Sequence, residues 1–408
     1  MVDFRPFPGW RPPPALASQV AALPYDVMNR EEARQMAAGN PLSLLHVTRP
    51  DIDLPDDADV HGEAAYAQAR RALHALLAQG GLQQDAAHCY YAYAQTMAGR
   101  RQIGLMGVAS AAEYWAGRIK RHELTRADKE EDRVRHVRTL AAHMGPVFLT
   151  YRARPAIDAH LAAITSAEPT VDFVAPDGIR HQLWPVRDAA RLDALRALFA
   201  EVDALYIADG HHRAAAAARV GRDAAPDDPA GYFLACAFPH DQLRILPYFR
   251  VLHDLNGHTP SALRAALERD FVLTPLTGPE DATERHTFTL GLRGEGWYRL
   301  TLRDPASVDE RDPVARLDVS LLQSRVLGPL FGIDDPRTSK RIDFVGGIRG
   351  VAELDRRLAV DAQAVFALAA TTLDDLMDIS DAGQIMPPKS TWFEPKLRSG
   401  MVVSRFRV

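Results

Sequence analysis

The segment Tyr206-Ile207-Ala208-Asp209-Gly210-His211-His212-Arg213, followed at once by Ala214 to Ala218, constrains the fold more than any other stretch of the chain. An apolar strand end runs into Asp-Gly, and a helix rich in alanine, the strongest helix former, starts immediately. Such a strand, turn and helix make an anion site. The first N–H groups of a helix have no intrahelical partner and lie at the positive end of its dipole. Gly210 lets the backbone approach the anion, and His211, His212 and Arg213 add side-chain donors. The plain alternative is a tight turn with Asp209 as N-cap and the histidines packed or solvated, but a cap alone needs no His-His-Arg behind it.

At 408 residues, of which 47% are hydrophobic, the chain is long enough for two or three domains with sizeable cores. A net charge of -5 argues against a bulk nucleic-acid binder, which needs a basic face for the phosphate backbone. Cys89 and Cys236 are the only cysteines, too few for a disulfide framework or a thiolate metal site, and they fit a reducing compartment. The N-terminal residues lack the apolar core of a signal peptide, and no segment has the uninterrupted apolar length of a membrane span. The expectation is a cytoplasmic protein with no membrane partner.

Proline-rich 5–14 excludes a regular helix and predicts an extended segment. Ala22 to Met28 reads as a short strand or turn, and Asn29 caps a helix through Met36 that ends at Gly39-Asn40-Pro41. Asp26, just ahead of that helix, is a candidate polar group at a pocket mouth. Ser43 to Thr48 reads as a buried strand, about 62–78 as an amphipathic helix, and 89–96 with 102–112 as a strand pair joined by a hairpin turn. Tyr114 to Ile119 reads as a strand, Pro176-Asp177-Gly178 as a hairpin turn and 189–202 as a helix. Further on, 261–271 reads as a helix, 286–292 with 297–302 as a hairpin, and 318–327 and 361–368 as helices. A boundary near 255, at Asn256-Gly257-His258-Thr259-Pro260, divides the chain into 1–255 and 256–408.

Two further clusters carry polar chemistry. His122-Glu123 precedes a charged helix that begins near Asp128, with Thr125 placed to cap it, and a carboxylate beside a histidine at a strand end can act as a general base or hold a metal ion. The charges that follow also suit a solvated helix face, and no zinc signature is present, so the metal is left unassigned. Near the C-terminus, Pro387, Pro388 and Pro395 keep 381–401 irregular. Within it Lys389 can meet an anion, Ser390 and Thr391 can donate, and Trp392 can stack a flat ring, or the segment is a surface strap anchored by Trp392.

Taken together, Arg5-Pro6-Phe7, Pro24-Tyr25-Asp26-Val27, Gly39-Asn40-Pro41, His46-Val47-Thr48-Arg49-Pro50, His122-Glu123, Lys129-Glu130, Asp132-Arg133, Ala208 to Arg213 and Met386 to Lys396 resemble, end to end, the bacterial and archaeal family classed as domain of unknown function 1015. That family name supplies no function. The Asp209-Gly210-His211-His212-Arg213 turn is also similar to the nucleotide-phosphate turn of the ParB and sulfiredoxin superfamily, most closely to its free-serine kinases. The resemblance implies a mixed α+β, α/β-type protein with a ParB/sulfiredoxin-like nucleotide site in the N-terminal half and a second α+β region. It also implies that ATP or ADP, with Mg²⁺, is the cofactor.

On that reading Gly210, His211, His212 and Arg213 bind phosphate and Glu123 is the general base, with His122 beside it and Asp209 in reserve. Asp26, Lys389, Ser390, Thr391 and Trp392 face the substrate or close the site. The expected function is nucleotide-dependent phosphoryl transfer to a small hydroxyl metabolite such as free serine. Hydrolysis of a phosphate ester or nucleotide, and non-catalytic nucleotide-responsive binding, are the alternatives. Neither a Walker-type loop nor a dinucleotide fingerprint occurs.

Overall fold

Alternating small and aromatic residues build the centre of the first sheet. Tyr90–Met97 and Arg100–Ser110 pair antiparallel from Tyr91↔Met106 to Met97↔Arg100. The two residues between them, Ala98 and Gly99, both take positive φ, 49° and 77°, as the tight turn that matches strand twist requires. The computed structural model describes residues 2–225 and 227–406. The chain divides into two units, one of Met1–Leu243 with Pro395–Val408 and one of Arg244–Glu394. The division therefore falls ahead of 255, and the segment 381–401 is shared between the units.

The first unit is a mixed nine-stranded sheet. From one edge it runs Ile119–Lys120, Leu205–Asp209, Val147–Tyr151, Tyr232–Pro239, Arg100–Ser110, Tyr90–Met97, Arg180–Val186 and Val171–Val174, with Phe4–Arg5 also on Arg100–Ser110. Tyr232–Pro239 is parallel to Val147–Tyr151, and Leu205–Asp209 is antiparallel to it. Pro155–Thr165 packs on Ala189–Ala200, and their Ile157, Leu161, Leu195 and Phe199 join Tyr90, Leu105, Leu149 and Ile207 in one core. Ala127–Leu140 packs on His211–Val220, where Ala214 to Ala218 are all buried and their small side chains let the two helices approach.

The helix Arg30–Ala37 carries the expected Asn29 cap as a reciprocal capping box with Glu32. Arg49 donates to the carbonyls of Tyr25 and Met28 while pairing with Asp51, which fixes the turn that holds Asp26. Several sequence expectations are corrected. Part of 43–48 is a short helix, Leu45–Thr48, because an apolar run this short does not distinguish strand from buried helix. Most of 114–119 is likewise not a strand: a helix, Ala111–Trp115, precedes the two-residue strand Ile119–Lys120. Thr125 does not cap the next helix; its hydroxyl donates to Glu130 at 2.8 Å, and the N-cap is Arg126.

The second unit is a six-stranded antiparallel sheet ordered Phe271–Leu276, Gly296–Leu302, Thr287–Leu292, Ala364–Leu368, Tyr248–Leu252 and Ile342–Gly346. The expected hairpin of 286–302 is present. Residues 364–368 are a strand between two others, not a helix, and the neighbouring helix is Ala352–Val360. A central strand buried on both faces has no alternation to betray it. The helix expected over 261–271 is Pro260–Leu267, capped by Thr259, and Phe271 opens a strand. The helix expected over 318–327 is α-helical only to Leu322 and continues as a π-turn over Gln323–Leu327.

Candidate functional site

The strand Leu205–Asp209 carries a bulge near its end, its pairing stepping from Ile207↔Leu149 to Asp209↔Phe148 with Ala208 left over, and Gly210 follows the last ladder position. Gly210, not Asp209, is the N-cap of His211–Val220, with φ of 91°. A Cβ built there would sit 2.9 Å from Cζ of Arg213, so both conformation and space call for glycine. Gly210→Ala is expected to lose about 1–2 kcal/mol of stability and to displace Arg213. A denaturant midpoint equal to that of the parent chain would contradict this.

Asp209 turns its carboxylate to two cations. Arg213 Nη2 lies 3.2 Å from Oδ2, and Lys396 Nζ, from the C-terminal return of the chain, lies 3.7 Å from Oδ1. Burial pushes the Asp209 carboxyl up, but Lys396 and then Arg213 outweigh it and hold it below the usual range. Arg213 also donates from Nη1 to the Pro146 carbonyl, which fixes the guanidinium at the turn.

His211 and His122 meet edge to face, with ring centroids 4.5 Å apart, and Glu123 Oε2 is 3.9 Å from His211 Nδ1. Burial holds His122 down at about 4 and His211 well below its ordinary value, so both imidazoles are neutral at pH 7. His211 Nε2 is buried and has no hydrogen-bond partner among the described residues. His212 accepts the Arg126 N–H at 3.1 Å. Burial lowers its pKa, and Asp26 acts against that shift. Asp26 itself is exposed, while its neighbours Pro24 and Tyr25 line a cleft of about 50 Å³ with Arg133, Gly145 and Arg213. Arg133 stacks over the Tyr25 ring at 4.0 Å.

One ligating atom from each of His122, Glu123 and His211 lies within 4.8 Å of the others. Two neutral imidazoles and a carboxylate suit a borderline divalent ion such as zinc, and they do not fit the oxygen shell that Mg²⁺ demands.

Lys389, Ser390, Thr391 and Trp392 lie in the second unit. There Lys389 Nζ is 5.4 Å from the Tyr248 ring centroid, Ser390 Oγ donates to the Pro387 carbonyl at 2.6 Å, and Trp392 donates from Nε1 to Glu394 at 2.8 Å. The strand Trp392–Phe393 pairs with Ile245–Leu246. Within the first unit the residue of the C-terminal segment that meets Asp209 is Lys396, which the sequence reading did not single out. Its signal was present as a lysine between Pro395 and Leu397, but nothing local ties it to a turn so distant in the chain.

The sequence profile of the protein family of unknown function DUF1015 matches residues 4–320. No curated protein matches the chain. Among solved structures, a free serine kinase variant in complex with ADP is 15% identical with a TM-score of 0.34, covering 70% of this chain and 86% of that one. A conserved hypothetical protein from Pyrococcus furiosus is 14% identical with a TM-score of 0.34, covering 72% and 92%. SbnI from Staphylococcus aureus, truncated at its C-terminus, is 9% identical with a TM-score of 0.36, covering 72% and 85%. No helix among the described residues is long and apolar enough to cross a membrane.

Proposed function

The chain belongs to the DUF1015 family, and we propose that it is a nucleotide-dependent phosphotransferase acting on a small hydroxyl metabolite such as free serine. The observation that carries the reading is the convergence of Arg213, Lys396 and Asp209 at the Gly210 turn, beside the Glu123 carboxylate. The free N–H groups of the first helical turn take the phosphates of ATP or ADP. Arg213 and Lys396, held by Asp209, supply fixed positive charge against which charge on the transferring phosphoryl group is stabilised.

Glu123 accepts the proton of the acceptor hydroxyl as its oxygen bonds to the terminal phosphorus. The bond from that phosphorus to the bridging oxygen breaks, and the shortened nucleotide leaves. His122 and His211 are neutral and cannot compete electrostatically for phosphate, so they position Glu123. Mg²⁺ belongs with the nucleotide's own oxygens and not with His122, Glu123 and His211.

Incubation of the full chain with ATP or ADP, Mg²⁺ and a panel of small hydroxyl compounds including serine should yield a phosphorylated acceptor by phosphorus NMR. Nucleotide consumption without any phosphorylated acceptor would mean hydrolysis instead, and binding without turnover would leave a nucleotide-responsive binding protein. Arg213→Ala should weaken nucleotide binding by about 1.5–3 kcal/mol in a calorimetric titration, the range for a charge-assisted hydrogen bond. Unchanged affinity would remove Arg213 from the phosphate site.

A further inference from the structure

Arg250 is the middle residue of Tyr248–Leu252, an inner strand of the second unit's sheet between Ala364–Leu368 and the edge strand Ile342–Gly346. Only 2% of its surface is exposed. Its Nη1 donates to the Tyr248 carbonyl and its guanidinium carbon lies 5.2 Å from the Phe344 ring centroid, but its Nε has no hydrogen-bond partner among the described residues. Among the described residues no carboxylate pairs with it. A buried guanidinium without a counter-charge is costly, and burial pushes its pKa down to about 9. Native folds rarely keep such a group idle.

Arg250 lines a pocket of about 230 Å³, walled also by Gln323 and Leu327, by Asp334 and the Asp335–Arg337 ion pair, and by Pro387. Gln323 and Leu327 belong to the π-turn, whose widened loop closes with the Gly328 N–H on the Gln323 carbonyl at 2.9 Å. Such turns are frequent at functional sites. The pocket thus joins a buried unpaired cation, an open volume and a local break in helical geometry.

We propose that this pocket binds a small molecule through its carboxylate, gripped side-on by Nε and Nη2 of Arg250. With Nη1 committed to Tyr248, those two parallel N–H groups are the edge that matches a carboxylate's two oxygens. A phosphate dianion fits less well, because Asp334 also lines the pocket and repels the second charge, while Asp335 there is matched by its ion pair with Arg337 at 2.9 Å. Asp334 is exposed and makes no hydrogen bond or ion pair among the described residues, so a ligand with an ammonium group beside its carboxylate, as in an α-amino acid, gains a second contact. The site lies wholly within the second unit and is independent of the phosphotransfer reading.

The test is a calorimetric and thermal-shift titration of the full chain with acetate, glycine and inorganic phosphate. Acetate and glycine should bind and raise the melting temperature. Arg250→Met should weaken glycine by about tenfold or more, the loss expected for a charge-assisted pair, while Arg213→Ala leaves it unchanged. Phosphate binding more tightly than either carboxylate, glycine affinity retained in Arg250→Met, or no response to any probe would each overturn the assignment. Should Arg250→Met fail to fold, crystals of the parent chain grown with glycine decide the matter. A carboxylate within hydrogen-bond distance of Arg250 Nε supports the site, and a pocket without it overturns it.

Discussion

Glu123→Gln is expected to lower phosphoryl transfer by about 10²–10⁴-fold, the usual contribution of a positioned general base, while nucleotide affinity holds. The substitution keeps the shape of the side chain and removes its proton affinity. Glu123 lies beside His211 Nδ1, at the helix N-terminus, with its side chain 47% exposed, so an acceptor hydroxyl can reach it. Asp209 is a poor substitute because Arg213 and Lys396 already occupy both its oxygens. Single-turnover kinetics with bound nucleotide separate the chemical step from binding, and a rate equal to that of the parent chain would exclude Glu123 as the base.

Acid should unfold the first unit well before the second. His136, His143 and His181 are buried there as neutral imidazoles, and burial, the leading cause in each case, holds them down at about 4, 4 and 3. The unfolded chain takes up these protons near pH 6.5, and the fold does so only near pH 4 or below. Stability is therefore complete above pH 6.5 and is lost as pH falls through that window, by about 2 kcal/mol for each histidine at pH 5. The second unit responds in the opposite sense. Burial pushes Asp318 up to about 6, so its folded form binds a proton that the unfolded form does not take until near pH 4, worth about 1 kcal/mol of added stability at pH 5. Urea titrations at pH 7 and pH 5 should show the first transition moving to much lower urea while the second holds or moves up. Coincident shifts of both would contradict the assignment of these groups.

What the sequence made legible was local and periodic. The Asn29 and Glu32 capping box, the 90–110 hairpin with its positive-φ turn and the 286–302 hairpin are each written in residues a few positions apart. The strand, glycine turn and helix around Gly210 were legible for the same reason, since Gly210 and the alanine helix adjoin the strand end. The strand at 364–368 was not, because burial on both faces erases alternation, and neither was the π-turn, which has the composition of an ordinary helix. Lys396 was the least accessible of all. Its meeting with Asp209 depends on the chain crossing the second unit and coming back, and no short-range rule encodes such a return.

That return orders events during synthesis. Leu205–Asp209 and the helix after it are made long before residues 395–408, so a nascent first unit holds Asp209 with Arg213 but without Lys396. Its edge strand Ala142–His143 also waits for Ser404–Arg405. The intervening unit, a sheet with its own pairing throughout, can fold in that interval as a body. The Asp209 cluster thus matures last, when residues 395–408 dock, and a ribosome-bound chain stalled before Pro395 would carry a formed turn with only one of its two cations in place.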